Sequence, residues 1–377
     1  MLSKEYKYIY ISLIICFLLI LFGIFMIYSS SFYQIAFLNK FEFDVFKSLF
    51  TRIISGVAGF ILFFKIPKKF WQKYSFINLL ICFILLISVL LFGQRIQGAK
   101  RWIDLKFIQF QPFEIFKPLY IAYISAFFYK YGKELFFTKK LYYIITVSLV
   151  FFLLVALEPN FSSAISIIFV LTLLLFIKGL PLLKIFRLSL IMAIFSLFII
   201  IAGKRSFSSH LIERVQREFK EKREYEQVTQ AKIAIASGSF FGKGIGKGEA
   251  KYLYLPEIKK DFIFSLICEE FGVLGAAFLI FLYTALIISL LKVSFKTSDQ
   301  FLSTYTAGFA IFIFYYVAVH IGVNMGILPP AGLPLPFISF GGSSLLSNFI
   351  FLGIILRALK DKEENFEERG FEKVVIL

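Results

Sequence analysis

Apolar stretches about as long as a bilayer-spanning helix recur along nearly the whole chain, with short polar segments between them. A helix needs roughly 20 apolar residues to cross the hydrocarbon core of a membrane. The short alternating strands of a membrane barrel are not visible in the pattern. The pattern therefore predicts an all-α polytopic membrane protein with about ten transmembrane helices. The predicted spans are 8–28, 46–65, 74–93, 111–129, 142–157, 162–178, 185–203, 260–291, 302–323 and 342–358.

The distribution of lysine predicts the orientation of these spans. An even number of spans places both termini on one side of the membrane, and the polar segments on that side are rich in lysine, as at 4–7, 65–73 and 130–140. Cytoplasmic segments carry an excess of positive charge, so both termini are predicted to be cytoplasmic. No small-residue cleavage site follows the first apolar stretch, which indicates a helix that is kept.

The chain is predicted to form a single transmembrane domain, 1–359, followed by a charged cytoplasmic tail, 360–377. A large extracytoplasmic loop, 204–260, lies between predicted helices seven and eight. The loop is basic, but it approaches the length of about 60 residues above which the charge rule loses force. The topology therefore stands, and the basic character needs another reason. Glycines at 238–248 exclude a stable helix there, which leaves an anion-binding loop or a solvated linker.

Composition narrows the class of function. The chain is 59% hydrophobic and carries 41 Lys and Arg against 24 Asp and Glu, a net charge of +17. Nucleic-acid binding explains such a charge poorly in so apolar a chain, whereas membrane orientation and phosphate-bearing lipids explain it well. Cys16, Cys82 and Cys268 all lie in predicted helices and indicate no disulfide framework. His210 and His320 are not spaced as a metal-binding pair.

Irregular polar segments collect on the predicted outer side. They are 98–104, 111–117, 158–163 and 329–344, and the last contains four prolines that exclude regular helix. Irregular backbone at membrane depth is tolerated only where it is buried in protein or lines a wet cavity. Together with the basic loop, these segments predict one cavity that is open to the outside.

The same segments, in this order, resemble the SEDS family of peptidoglycan polymerases, which includes FtsW, RodA and SpoVE. The matching segments are 22–31, 98–105, 111–114, 158–163, 235–244, 255–264, 269–272 and 332–344. Each is weak by itself, but the ordered set covers nearly the whole chain. The stretches at 25–29, 252–257 and 332–337 are more similar to FtsW, the division enzyme, than to RodA.

The resemblance implies a glycosyltransferase of the bacterial cytoplasmic (inner) membrane. It would polymerise lipid II, a disaccharide-peptide carried on undecaprenyl pyrophosphate, into glycan strands for septal wall synthesis, or, as a RodA-like enzyme, for cell elongation. The implied partners are a class B penicillin-binding protein, which is a transpeptidase, other membrane proteins of the division complex and membrane lipids. No cofactor is certain from the resemblance, and a divalent cation, Mg²⁺ or Mn²⁺, is an open alternative.

Asp261 matches the essential acid of the family, which implies a general base for the attacking sugar hydroxyl or, alternatively, a metal ligand. Without the resemblance, a carboxylate that merely complements the dipole of the following helix is the better explanation. Lys100, Arg101 and Lys117 are candidates for contact with the pyrophosphate, although the first two also suit ordinary snorkelling at the interface. Trp102 either stacks on a sugar or anchors at the interface.

Further candidates for substrate binding line the same implied site: Gln111, Glu114, Glu158, Asn160, Lys243, Glu257 and Ser343. Glu114 and Lys117 are three residues apart on one helical face, so Glu114 is expected to pair with Lys117 and hold it. Glu158 and Asn160 lie in a break between two predicted spans. Asn160 stands where the family usually has Asp, which weakens any carboxylate role there. Lys243 and Glu257 equally suit a solvated loop, and Ser343 a helix cap.

Two other classes of function remain as alternatives. A lipid II flippase should have polar groups along a path through its helices, whereas here the predicted helix centres are nearly all apolar. A scaffold that only recruits a synthase would explain the long helices. It would not explain an acid, a basic loop and broken helices on one side.

Overall fold

The computed structural model describes residues 2–38, 42–96, 99–104, 109–158, 160–181, 183–184, 187, 222–251 and 258–375. The described helices before the large loop are α1 (Leu2–Leu38), α2 (Glu42–Lys65), α3 (Lys68–Lys73), α4 (Ser75–Phe92), α5 (Pro112–Tyr131), α6 (Lys139–Leu157) and α7 (Phe161–Ile177), with a 3₁₀ helix at Gly132–Phe137. Those that follow are α8 (Lys222–Ser237), α9 (Ile263–Lys296), α10 (Gln300–Asn324) and α11 (Gly342–Val375).

The helical prediction is confirmed within the described residues. Every predicted span except 185–203 coincides with a helix over most of its length, and 185–203 lies outside the described residues apart from residue 187. Six of the described helices, α1, α4, α6, α9, α10 and α11, are long and apolar enough to cross a membrane. The chain is therefore a multi-pass membrane protein.

Helix α10 lies at the centre of the bundle. In its most apolar window 72% of the residues are buried, against 22% in α4. It packs against α5, α7 and α9, while α2 packs along α11 and α1 along α9. The central helix therefore brings together the starts of α5, α7 and α9, which follow the irregular segments of the predicted cavity.

A small sheet corrects one expectation. Strands β1 (Gln94–Ile96), β2 (Ala99–Asp104) and β3 (Gln109–Phe110) form an antiparallel sheet in that order. The expectation of irregular backbone at 98–104 is wrong for Ala99–Asp104. The register pairs Lys100 with Arg95 and Trp102 with Gln94, so ladder hydrogen bonds satisfy the backbone there. The sheet gives this segment a regular structure that packs against α4 and α5.

Helix α11 continues past the predicted start of the tail at residue 360 and ends only at Val375. Asp361 is buried and lies 2.7 Å from Arg357, one turn earlier. Lys362 binds Glu5 of α1 at 2.7 Å. The charged residues just after 359 therefore pack against the first turns of α1 at one end of the bundle.

Candidate active site

The backbone at Asp261 is held by the central helix. The side-chain amide of Asn324, the last residue of α10, donates to the carbonyl of Asp261 at 3.0 Å. Its oxygen accepts from the backbone N–H of Ser265 at 3.1 Å and from the Ser265 hydroxyl at 2.7 Å. Asn324 is fully buried. These bonds fix the backbone at the start of α9. They therefore also fix the position of Asp261, which lies two residues before the helix begins.

The proline-rich segment 329–341 forms the next wall of the site. Phe340 N–H donates to the carbonyl of Lys259 at 2.9 Å, and the Ser339 hydroxyl donates to the carbonyl of Lys260 at 2.6 Å. On the other side, Tyr283 of α9 donates to the carbonyl of Pro336 at 2.5 Å. The segment lacks regular helix, but side chains and neighbouring backbone satisfy its polar groups, as irregular backbone at this depth requires.

Gly332 lies between an acid and a cation. A Cβ built on this glycine would lie 3.6 Å from Asp261 Oδ2 and 3.7 Å from Arg101 Nη1. The carboxylate of Asp261 and the guanidinium of Arg101 therefore approach each other across a residue that has no side chain. Next to them, the Lys260 ammonium lies 5.4 Å from the centre of the Trp102 ring. Strand β2 thus brings Arg101 and Trp102 to the start of α9.

Glu158, in the turn after α6, adds a second acid beside Arg101. Its side chain is fully buried, and neither carboxylate oxygen has a hydrogen-bond partner among the described residues. Burial raises the pKa of Glu158 from 4.5 to about 9, and the positive charge of Arg101 opposes this effect only in part. Glu158 is therefore protonated at neutral pH. Asn160, two residues later, is also buried, and its amide nitrogen lacks a partner within the described part of the chain.

The predicted pairing of Glu114 with Lys117 is present in the first turns of α5. The two side chains are buried and lie 2.5 Å apart. Tyr316 of α10 donates to Glu114 at 3.4 Å, and the Lys117 ammonium lies 4.1 Å from the centre of the Tyr316 ring. Lys117 is therefore held by an acid of its own helix and an aromatic ring of the central helix.

Gln111 and Ser343 meet each other. The backbone N–H of Gln111, which precedes α5, donates to the hydroxyl of Ser343 in the first turn of α11 at 3.1 Å. This contact joins the starts of two helices at the cavity. The roles predicted for both residues in substrate binding stay predictions.

The glycine-rich segment packs against α9 instead of forming an open loop. Lys243 binds Glu269 at 2.9 Å and Glu249 at 3.3 Å. The carboxylate of Glu269 also accepts from the backbone N–H groups of Glu249 and Ala250. The structure therefore pairs Lys243 with two acids, and one of them, Glu269, lies about two helical turns after Asp261. The role of Lys243 in substrate binding stays a prediction. Glu257 lies outside the described residues.

A buried ion pair closes this segment. Lys251 binds Glu270 at 3.1 Å with both side chains fully buried, and Ser29 of α1 donates to the same carboxylate at 2.7 Å.

Helix α9 is kinked at Gly272, where φ is +67°, and a Cβ there would collide with the backbone of Gly242. Only glycine fits this crossing.

Asn324 and Gly332 are the site residues that motif reasoning missed. Asn324 had one signal in the sequence, a polar side chain at the end of an otherwise apolar span. Gly332 had only its place in the matching segment 332–344, and no role was predicted for it, because its importance comes from the two side chains that face it. In the described residues, no group of three or more His, Cys, Asp or Glu side chains is arranged to hold a metal ion. A cation at Asp261 would therefore need water or substrate phosphate oxygens as further ligands.

Comparisons with known proteins agree with this architecture. The family model described as cell cycle protein, FtsW/RodA/SpoVE, matches residues 10–364. A "Probable peptidoglycan glycosyltransferase FtsW" of Coxiella burnetii is 36% identical over 307 residues, which cover 79% of this chain and 82% of that protein. A protein of the same name from Wigglesworthia glossinidia brevipalpis is 32% identical over 365 residues, which cover 94% and 95%.

Solved structures share the fold. A chain of a peptidoglycan synthase complex, described as coordinating polymerization and crosslinking, superposes with a TM-score of 0.73 at 22% identity, covering 93% of this chain and 97% of that one. The rod shape determining protein RodA of Thermus thermophilus superposes with a TM-score of 0.66 at 21% identity, covering 93% of this chain and 96% of that one.

Proposed function

This chain belongs to the FtsW/RodA/SpoVE family of cell cycle proteins, and we propose that it is a peptidoglycan glycosyltransferase that polymerises lipid II for the division septum. The relatives named FtsW, at 30% identity and above over most of the chain, favour the division role over a RodA-like role in elongation. The observation that carries the proposal is the approach of Asp261 and Arg101 across Gly332. An acid and a cation at one point are what glycosyl transfer from a pyrophosphate requires.

In the proposed reaction, a sugar hydroxyl of the acceptor attacks the anomeric carbon of the donor sugar. A new glycosidic bond forms, the bond from that carbon to the lipid pyrophosphate breaks, and the hydroxyl proton goes to a base. Asp261 accepts this proton. The pyrophosphate takes the bonding electron pair and leaves as an anion, and Arg101 stabilises it through charge-assisted hydrogen bonds. Lys100 on the same strand adds positive charge.

Glu158 has a supporting role in this scheme. Because it is protonated at neutral pH, it does not cancel the positive charge of Arg101, which stays available to phosphate. An ionised acid at this position would compete with the leaving group for the same guanidinium. The neutral carboxyl also has a proton to donate, so it offers a hydrogen bond to a substrate oxygen.

Lys117 is the second candidate for contact with the pyrophosphate. Glu114 and Tyr316 hold its ammonium group in one place, which supports a preorganised cation at the start of α5. A divalent cation at Asp261 would supply further positive charge to the leaving group. The Asp261 carboxylate is suited to hold it, because it approaches Arg101 across Gly332.

The proposal places the protein in the bacterial inner membrane with both termini in the cytoplasm. The ion pair between Glu5 near the start of α1 and Lys362 in α11 supports one common side for the termini. A class B penicillin-binding protein is the proposed partner. It would crosslink the strands that this chain makes, and other division proteins would join the complex.

Polymerisation of lipid II by the purified chain with its class B partner tests the proposal. Wild type should make glycan strands, and Asp261→Asn should make none while still folding and binding the partner. Glu134→Gln, a change at an exposed acid far along the chain from Asp261, should behave as wild type. Strands from Asp261→Asn would exclude Asp261 as the base. Absence of strands from every variant, despite intact complexes and bound lipid II, would favour a flippase or a scaffold.

A further inference from the structure

His320 is a titratable residue within the central helix α10, and the proposed reaction assigns it no role. Its side chain is buried, and Nδ1 lies 2.9 Å from the carbonyl oxygen of Leu333. A titratable side chain inside a spanning helix is costly, and it marks a functional site by default. The residue that His320 contacts follows Gly332, across which Asp261 approaches Arg101. His320 therefore reaches the edge of the active site without touching the reacting groups.

The contact with Leu333 fixes which nitrogen of the ring carries the proton. A carbonyl oxygen only accepts hydrogen bonds, so Nδ1 of His320 is the donor. Among the contacts of the described residues, no acid binds the ring, and a second proton would bury an unpaired charge. The ring is therefore neutral, with Nε2 unprotonated. Nε2 is buried and has no partner among the described residues, so the hydrogen bond to Leu333 is the one that the ring contributes there.

The contacted residue lies in a tight turn. The N–H group of Leu333 donates to the carbonyl of Ala331 at 2.5 Å, which places Gly332 at the centre of the turn. Pro334 comes next and has no N–H group, so this part of the chain is short of donors of its own. The imidazole of His320 supplies a donor from the central helix and ties the turn to it.

The end of α10 holds both sides of the active site. Asn324, one turn after His320, donates to the backbone carbonyl of Asp261 at 3.0 Å and to the carbonyl of His320 at 2.8 Å. His320 in turn donates to Leu333, next to Gly332. One stretch of one helix therefore sets the position of Asp261 relative to Gly332. Helix α10 suits this role because it is the most buried of the six long apolar helices.

The spacing at Gly332 leaves little tolerance. A Cβ on this residue would lie 3.6 Å from Asp261 Oδ2 and 3.7 Å from Arg101 Nη1. The proposed reaction needs the acid and the cation at one point, and a misplacement of about 1 Å can cost about 100-fold in rate. A Leu333 carbonyl released from His320 would loosen the turn that places Gly332.

We propose that His320 is a positioning residue of the active site, whose Nδ1–H group holds the Leu333 carbonyl and thereby keeps Gly332 at the spacing at which Asp261 and Arg101 act on one substrate. The inference rests on the proposed function. It assigns the ring neither proton transfer nor contact with the substrate. The competing explanation is that His320 only fills space in α10, while the buried side chain of Leu333 fixes the turn by itself.

A matched pair of substitutions separates these explanations. Asn and Leu have the same branched outline, but only His320→Asn places an N–H donor where Nδ1 stood. In lipid II polymerisation with the class B partner, His320→Asn should keep kcat within about threefold of the wild type. His320→Leu should lower kcat about tenfold or more and change KM less than about twofold, because misplaced groups weaken the transition state more than substrate binding. Phe314→Leu, at an exposed position of the same helix, should behave as wild type.

Hydrogen exchange of the backbone amides measures the hold on the turn without turnover. The peptide that covers residues 331–341 should exchange at the same rate in the wild type and in His320→Asn. In His320→Leu it should exchange about tenfold faster, as the loss of one buried hydrogen bond predicts. Exchange in α9 should stay unchanged, and the thermal unfolding midpoint of each variant should stay within a few degrees of the wild type, which excludes general unfolding as the cause.

The outcomes are distinct. Equal kcat values in His320→Asn and His320→Leu overturn the positioning role, and so does a wild-type kcat in His320→Leu despite faster exchange. Unchanged exchange in His320→Leu overturns the hold on the turn even if the wild type polymerises lipid II. Absence of strands from the wild type refutes the proposed function, while faster exchange confined to His320→Leu would then still uphold the hold of Nδ1–H on the Leu333 carbonyl.

Discussion

Replacing Glu158 with Gln tests whether this carboxyl is buried in its neutral form. The folded-state pKa is about 9, against 4.5 for the ordinary side chain. Between these values the folded protein keeps a proton that the unfolded chain has lost. The free energy of unfolding therefore falls as the pH rises through this interval, because the unfolded state binds fewer protons.

The size of the effect follows from the same shift. From pH 5 to pH 8 this one group should cost the wild type about 4 kcal/mol of stability, at about 1.4 kcal/mol per pH unit. Gln has the shape of the neutral acid but no proton to lose. Glu158→Gln should therefore match the wild type near pH 5 and exceed it by several kcal/mol near pH 8.

Thermal unfolding followed by tryptophan fluorescence at a series of pH values measures this difference. Trp71 is buried and reports loss of the packed state. Glu134→Gln removes an exposed acid and should keep the pH profile of the wild type. Parallel profiles for wild type and Glu158→Gln would refute the neutral, buried carboxyl and, with it, the argument that Glu158 leaves the charge of Arg101 available.

Two other changes probe the site and its support. Gly332→Leu should fill the space between Asp261 and Arg101 and lower the rate of polymerisation about tenfold or more, whereas Gly332→Ala, whose Cβ makes ordinary contacts, should keep most of it; equal rates in both would show that the two groups do not act together. Lys251→Met should leave Glu270 buried without its cation and lower the free energy of unfolding by about 3–5 kcal/mol. Lys251→Arg keeps the positive charge. An equal loss in the free energy of unfolding in this variant would therefore contradict the missing charge as the cause.

The local sequence pattern was enough to predict the membrane-spanning helices and one ion pair. A run of apolar residues at helical length has the same consequence wherever it stands in the chain, so α1, α4, α9 and α10 followed from the sequence. Glu114 and Lys117 share one face of one helix, and their pairing needed no knowledge of the other helices.

The structure of segments that depend on a partner strand or helix was harder to predict from the sequence. Strand β2 looked like an irregular loop, because the hydrogen bonds that make it a strand come from β1 and β3. The glycine-rich segment left an anion-binding loop and a solvated linker open. The structure instead packs it against α9, since the acids that bind Lys243 and Lys251 lie later in the chain.

The sequence by itself determined the helical membrane fold, the ordered motifs that indicate the family, and the acid most worth testing, Asp261. Only the tertiary structure decided which groups meet. Asp261 faces Arg101 because a glycine of a third segment leaves room between them, and Arg52 reaches Phe340, far along the chain, because α2 packs along α11. Periodicity along a chain specifies which face of a helix is apolar, but not which other helix covers that face or which side chains it brings together.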